Sequence, residues 1–278
     1  MKLFQRNVEY GPPLKLSGWR KVAIGTWKTV GDPSVYGMLD LDVSPALAYL
    51  EKLKHKSSER LTLTHFFGKA VAETFKRHPE INCVLRFGKL YPRKHIDLFF
   101  QVATDESGKD LSGMTVRDGD QKSVEGFAAE MRMRIEKIRK QGDPDFKKSK
   151  NTMSAIPGML SGVLLDFLGF VMYTLNVYTP LVGSPRDPFG SVMITNIGSL
   201  GLEVAFAPLV PYSRVPILLA VGAAKETPVA RNGKVEVTQI AKICITLDHR
   251  LIDGVHASHM SKTIQKIFAD PEGELGLP

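Results

Sequence analysis

The stretch AKICITLDHRLIDGVH, residues 241–256, constrains the fold more than any other part of this chain. A run rich in apolar and β-branched residues, Ala241–Leu247, gives way abruptly to Asp248-His249-Arg250. A short apolar run bounded by polar residues reads as a buried strand. Asp253-Gly254 then permits a tight turn, and VHASHMSKTIQKIFAD continues as a helix that ends before Pro271. His249 therefore sits at the end of a buried strand. A neutral imidazole there can accept a proton, and nearby carboxylates can orient it. One histidine at a strand end has an equally simple structural reading, a side chain hydrogen-bonded within the turn.

The remainder of the chain alternates between helical and strand-like segments, so a mixed α/β fold is expected. SVYGMLDLDVS alternates apolar and polar residues, as a half-buried strand does. GPPLKLSGWRKVAIGTWKTV reads as a helix carrying Trp19, Val22, Ile24 and Trp27 after a proline-limited turn. SPALAYLEKLKHKSSERL is an amphipathic helix with Ser44 as its expected N-cap and Pro45 at its first position. Thr64 is the expected cap of a helix running to about His78, where Pro79 forbids simple continuation. HIDLFFQVAT reads as a buried strand. SVEGFAAEMRMRIEKIRKQGD places Phe127, Met131, Ile135 and Ile138 on one helical face, with Gly142 as C-cap. The last third is β-rich, and Asn232-Gly233 predicts a hairpin turn that folds KETPVARNGKVEVTQ back on itself.

Between these parts lies a segment of different character. From about Lys148 to Pro188 a basic lead-in precedes a mostly apolar stretch, Ile156 to about Val182. Its length alone would permit a membrane span. Asp166, Pro157 and several glycines oppose a simple one, and a buried helical hairpin or a subunit-contact insert is the favoured expectation over an interfacial membrane element.

The chain has 278 residues, enough for a sizeable core, and a net charge of +8 that favours anionic partners such as phosphorylated cofactors. The basic runs KLKHK and RMRIEKIRK fall on amphipathic helices and read as solvated faces, so no nucleic-acid partner is expected. Cys83 and Cys244 lack metal-ligand spacing; no metal site is expected, and a reducing cytoplasmic setting is. The N-terminal residues contain no apolar stretch of signal-peptide type.

Asp248-His249-Arg250-Leu251-Ile252-Asp253-Gly254 resembles the H-x-x-x-D-G signature of the E2 (acyltransferase) component of 2-oxoacid dehydrogenase complexes. SVMITNIGSLG is similar to that family's stretch ending in Ser-Asn-Ile/Leu-Gly, and the spacing from Thr195 to His249 agrees with it. LSGWRKVAIG, LTHFFGKAVAETFKRHPEIN and VRDGDQKSVEGFAAEMR resemble further family segments in the same order, so the likeness runs from about Leu14 to Leu275.

The resemblance implies one catalytic domain over residues 1–278, with a chloramphenicol acetyltransferase-like mixed sheet packed by helices in two layers. It implies acyl transfer between coenzyme A and a lipoyl-type thiol, with His249 as general base and Thr195 as the hydroxyl that stabilises the oxyanion. Serine is usual at that position. Asp253 is implied to be structural, pairing with an arginine for which Arg20 is the candidate. Taken alone, Thr195 would read as an ordinary strand residue and Arg20 as a solvated helix charge.

The family also implies a homotrimer with the site between subunits, packed further into a cubic or dodecahedral shell. No segment resembles a lipoyl or subunit-binding domain, so a lipoyl group supplied in trans by another protein is expected. The insert at about 148–188 falls where the family has a short link, and VGDPSVYGML replaces a family Ile/Thr-Pro-His segment. These departures leave an alternative in view: a non-catalytic shell or scaffold protein, membrane-associated through the insert.

Overall fold

The computed structural model describes residues 5–18, 21, 32–103, 111–141, 158–178 and 185–276. Trp19, Arg20, Val22, Ile24, Trp27 and Gly142 lie outside the described residues.

The AKICITLD run is the end of a 15-residue strand, β11 (Lys234–Asp248), and the sheet is organised around it. One edge of β11 pairs with β2 (Ser34–Asp42), antiparallel from Ile240↔Asp42 to Asp248↔Ser34. The other edge pairs with β9 (Ile217–Val221) and then β10 (Lys225–Arg231), both antiparallel. Parallel pairing carries the sheet on from β9 to β8 (Val192–Asn196) and β5 (Leu98–Ala103), and β6 (Leu111–Val116) closes it antiparallel to β5. The result is a seven-stranded mixed sheet. A small hairpin, β3 (Cys83–Arg86) and β4 (Lys89–Pro92), stands beside it.

β9 and β10 form one long arm broken by a bulge. Val221 pairs with Ile243 and Lys225 with Ile240, so three residues, 222–224, oppose two. At Gly222 a Cβ would lie 2.2 Å from the backbone oxygen of Glu203, which cannot move aside as a side-chain tip could. Gly222→Ala is expected to destabilise the fold by about 1–3 kcal/mol in urea titration. The arm turns at Asn232-Gly233, with φ of 51° and 77°, the left-handed pair that a two-residue hairpin of the primed type requires.

Helices cover one face: α1 (Ser44–Lys54), α2 (Leu63–Arg77), α3 (Val124–Gln141) and α5 (Gly254–Ala269), with the short α6 (Pro271–Leu275) at the end and α4 (Gly158–Gly169) set apart. Alternate residues of β11 (Ala241, Ile243, Leu247) join Phe66, Phe67, Phe127 and Phe268 in the main core. Phe127 and Met131 are buried there with Ile135 and Ile138 packed against them, as the helical period requires.

The caps differ from expectation. α1 begins at Ser44 itself, after Val43, because Asp42 Oδ1 already accepts the Ser44 N–H at 2.9 Å. α2 is capped by Thr62 rather than Thr64; its backbone N–H donates to His65 Nδ1 at 3.2 Å.

The described part of the insert contains a helix, α4, ending in a π-helical turn, Phe170–Thr174; residues 148–157, where a first arm of the expected hairpin would fall, lie outside the described residues. The turn buries Met172 and Tyr173 against Val8 and Val84. β7 (Val177–Tyr178) then pairs with β1 (Gln5–Arg6). Two asparagines clasp these segments. Asn176, held at φ 58°, accepts the Val8 N–H at 2.6 Å and donates to the Val8 carbonyl at 2.8 Å. Asn7 donates to Met172 O at 3.0 Å and accepts the Asp187 N–H at 3.0 Å. Asp187 forms a buried ion pair with Arg93. Leu160, Val163, Phe167 and Phe170 remain exposed along one side of α4. No helix among the described residues is long and apolar enough to cross a membrane.

Candidate active site

His249 is the first residue beyond β11, and its N–H donates to the Pro33 carbonyl at 3.0 Å. Its Nδ1 lies 3.0 Å from the backbone oxygen of Ile252. A carbonyl can only accept, so Nδ1 carries the proton and Nε2 is the basic nitrogen. The turn that returns Ile252 to the ring is itself fixed, because the Leu251 and Ile252 N–H groups both donate to Asp248 O at 3.0 Å.

The neighbours of His249 are committed to one another. The buried Asp248 carboxylate accepts from Arg250 Nε at 3.0 Å and Nη2 at 2.7 Å, a bidentate pair that holds Arg250 above the ordinary arginine range. Next to this pair is a cavity of about 110 Å³ lined by Pro33, Arg214, Asp248 and Arg250 among others. Burial, and then the Arg250 charge, lowers the Arg214 guanidinium below its ordinary value. Asp32 and Asp248 balance Arg214 and Arg250 in the lining of this cavity.

Asp253 caps α5. Its carboxylate accepts the Val255 and His256 N–H groups at 3.0 and 3.1 Å, and His256 Nδ1 sits 2.6 Å away. This aspartate thus fixes the first turn of the helix that follows the His249 loop. Its expected partner Arg20 lies outside the described residues. Asp253→Ala is expected to lower stability by about 0.5–2 kcal/mol, while Asp253→Asn, which keeps the cap, stays within a few tenths of wild type in thermal unfolding.

Thr195 lies in β8, level with Gln101 in β5 and Ala220 in β9. It is partly exposed, and among the described residues its hydroxyl finds no hydrogen-bond partner. Asn196 beside it donates to Thr64 Oγ1 at 3.1 Å and accepts the Ser199 N–H at 3.1 Å, which anchors the strand end.

Within one chain the structure does not bring Thr195 and His249 together. Ala220, level with Thr195, is also level with Cys244 in β11, and His249 lies five residues further along. At ~3.3 Å per residue the two side chains are separated by roughly 16 Å along the strands, with two strand spacings of ~4.8 Å across them. They occupy opposite ends of the sheet. Among the described residues no cluster of His, Cys, Asp or Glu is placed to hold a metal ion.

Sequence reading missed the Nδ1–Ile252 lock and the Asp253–His256 pair. The second carries a local signal, an Asp three residues before a side chain able to reach back to the cap. The first has none, since it depends on the turn geometry.

Comparison with known proteins adds the following. The model of the family described as 2-oxoacid dehydrogenases acyltransferase (catalytic domain) matches residues 14–162 and 189–275. The lipoamide acyltransferase component of the branched-chain alpha-keto acid dehydrogenase complex of Bacillus subtilis (strain 168) is 25% identical over 240 residues, which is 85% of this chain and 46% of that protein. The chain spans about half the length of the curated relatives it matches. Among solved structures, the cubic core of the pyruvate dehydrogenase multienzyme complex superposes with a TM-score of 0.64 at 21% identity, covering 95% of this chain and 100% of that one. A chloramphenicol acetyltransferase superposes with a TM-score of 0.53 at 15% identity, covering 90% and 94%. These likenesses establish the fold as a chloramphenicol acetyltransferase-like mixed sheet covered by helices.

Proposed function

The chain belongs to the 2-oxoacid dehydrogenase acyltransferase family, through its catalytic domain, and from that premise we propose that it moves an acyl group between coenzyme A and a lipoyl-type dithiol. His249 Nε2 takes the proton from the attacking thiol as its sulfur adds to the thioester carbonyl. The tetrahedral oxyanion accepts a hydrogen bond from the Thr195 hydroxyl. Collapse breaks the original C–S bond, and the departing thiolate takes the proton back from His249. No covalent acyl-enzyme forms, and the proton count balances.

The observation that carries this reading is the tautomer: Nδ1 is tied to Ile252 O, which leaves Nε2 as the base. The separation of His249 and Thr195 gives the reading its architecture. A site that uses both must take them from two copies, the His249 end of one meeting the Thr195 end of the next. Such a head-to-tail contact closes into a ring, and a homotrimer is the ring this fold family suggests. The exposed apolar residues on the sheet face and nearby loop (Tyr36, Met38, Leu202, Val204, Phe206) support a subunit contact there. A cubic or dodecahedral shell of such trimers is the larger assembly we propose.

The test incubates the purified protein with acetyl-, succinyl- and branched-chain acyl-CoA and dihydrolipoamide, and follows acyl-dihydrolipoamide by chromatography. Turnover that His249→Ala abolishes is expected. An assembled shell inert toward every acyl group overturns the enzymatic reading in favour of a scaffold.

A further inference from the structure

The insert creates a second concavity, formed by the N-terminal segment, the β3–β4 hairpin and the turn after the π helix. It measures about 390 Å³ and is lined by Arg6, Tyr10, Arg86, Tyr91, Leu175 and Asn176. We propose that it binds a phosphomonoester group, with Arg86 as the bidentate anchor and Arg6 as the second cation. The proposal is independent of the acyl-transfer reading.

Arg86 is held in an unusual way. Its guanidinium lies 4.6 Å from the Tyr10 centroid and 4.9 Å from that of Tyr91, two rings whose own centroids are 5.6 Å apart, and its Nε donates to Thr174 O at 2.9 Å. Two adjacent rings and one backbone oxygen therefore hold the group in place. The terminal edge, with Nη1 and Nη2, has no acceptor among the described residues, and that edge matches two oxygens of a phosphate. The stacking fixes the fork before any ligand arrives, so little side-chain freedom is lost on binding.

Charge sets this concavity apart from its neighbour. A cavity of about 370 Å³ close by is also lined by cations, but each has a carboxylate: Arg93 with Asp187, Arg117 with Asp97, Arg186 and Lys94 with Glu9. Around Arg86 no acidic residue lines the wall, and neither Arg6 nor Arg86 forms an ion pair among the described residues. Two guanidinium groups facing one space, with no carboxylate among its described lining residues, favour a doubly charged anion over a singly charged one. The remaining polar wall does not compete. Asn176 is committed to Val8, and the Tyr10 hydroxyl donates to Tyr173 O at 3.2 Å. Burial pushes the Tyr10 phenol up to about 12, so it stays neutral beside a bound anion.

Leu175 and Asn176 fall in residues 163–188, which the family model leaves unmatched. The site is thus built by the segment that distinguishes this chain from the family pattern. A phosphomonoester could come from a small soluble metabolite or from a lipid headgroup, and the two sources are separable.

The test is calorimetric titration with ribose 5-phosphate and with inorganic phosphate, ribose as the control, and co-sedimentation with vesicles containing phosphatidic acid. Saturable binding of a phosphate probe and none of ribose is expected. Arg86→Ala and Arg86→Lys should each weaken it by about tenfold or more, the lysine variant because it keeps charge but loses the fork. Arg6→Ala, at an exposed position, should weaken it too, and by more as the salt concentration falls. Binding to vesicles alone assigns the group to a lipid; binding of ribose 5-phosphate assigns it to a soluble ligand. Failure of all phosphate probes, or affinity unchanged in both Arg6→Ala and Arg86→Lys, overturns the proposal.

Discussion

Co-expressed in equal amounts, His249→Ala and Thr195→Ala chains are expected to recover about a quarter of wild-type acyl transfer, although each variant alone is nearly inactive. The size of the individual losses follows from the roles. Removing a general base costs about 10²–10⁴ in rate, and removing one oxyanion donor costs about 10²–10³. The recovery follows from the sheet. Thr195 is level with Cys244, and His249 lies five residues beyond it at the other end of the same strands. A head-to-tail ring takes His249 from one copy and Thr195 from the next. In a randomly mixed ring, half the His249 donors are intact and half the Thr195 donors are intact, which leaves about one site in four with both. The readout is initial rate per mole of assembled protein, with assembly verified by light scattering. Mixed particles that form normally and show no recovery would mean that both groups act from one chain, which the strand register opposes.

Asp187→Ala is expected to be among the most destabilising single changes outside the main core, by about 3–5 kcal/mol in urea titration. Arg93 is buried, and Asp187 is its one hydrogen-bond partner among the described residues; its Nε and Nη2 find no acceptor. Burial works to lower the Arg93 pKa, and the Asp187 carboxylate together with Tyr173, Tyr10 and Asp97 more than offsets it, so the guanidinium stays charged. Truncating the carboxylate leaves that charge unsolvated and unpaired. Replacing both partners, Arg93→Met with Asp187→Leu, should recover most of the loss, because the cost belongs to the stranded charge and not to the missing attraction. A single variant within about 1 kcal/mol of wild type would show that water reaches Arg93.

Local pattern carried much of the architecture. Phe127, Met131, Ile135 and Ile138 marked a helix by period, Asn232-Gly233 marked a turn by its backbone requirement, and Ala241–Leu247 marked a buried strand by content. Ser44 and Thr64 were natural caps by residue type, yet Asp42 and His65 supply side chains that shift each start. A cap depends on which neighbour reaches the first N–H, and several residues compete within one turn. The insert was legible by length and apolarity but not by placement, because Asn176 meets Val8 across 168 residues of sequence and Asn7 meets Asp187 across 180. The family resemblance implied His249 and Thr195 as a pair. Their separation became visible only through register, since sequence spacing says nothing about which end of a sheet a residue occupies.

The pairing of β1 with β7 and of β2 with β11 has a consequence for biosynthesis. β2 is synthesised long before β11, so the growing polypeptide must wait with Val35, Tyr36 and Met38 of β2 unpaired until β11 has been translated. Nascent chains stalled before β11 is made should therefore cling to chaperones, and should let go once it emerges.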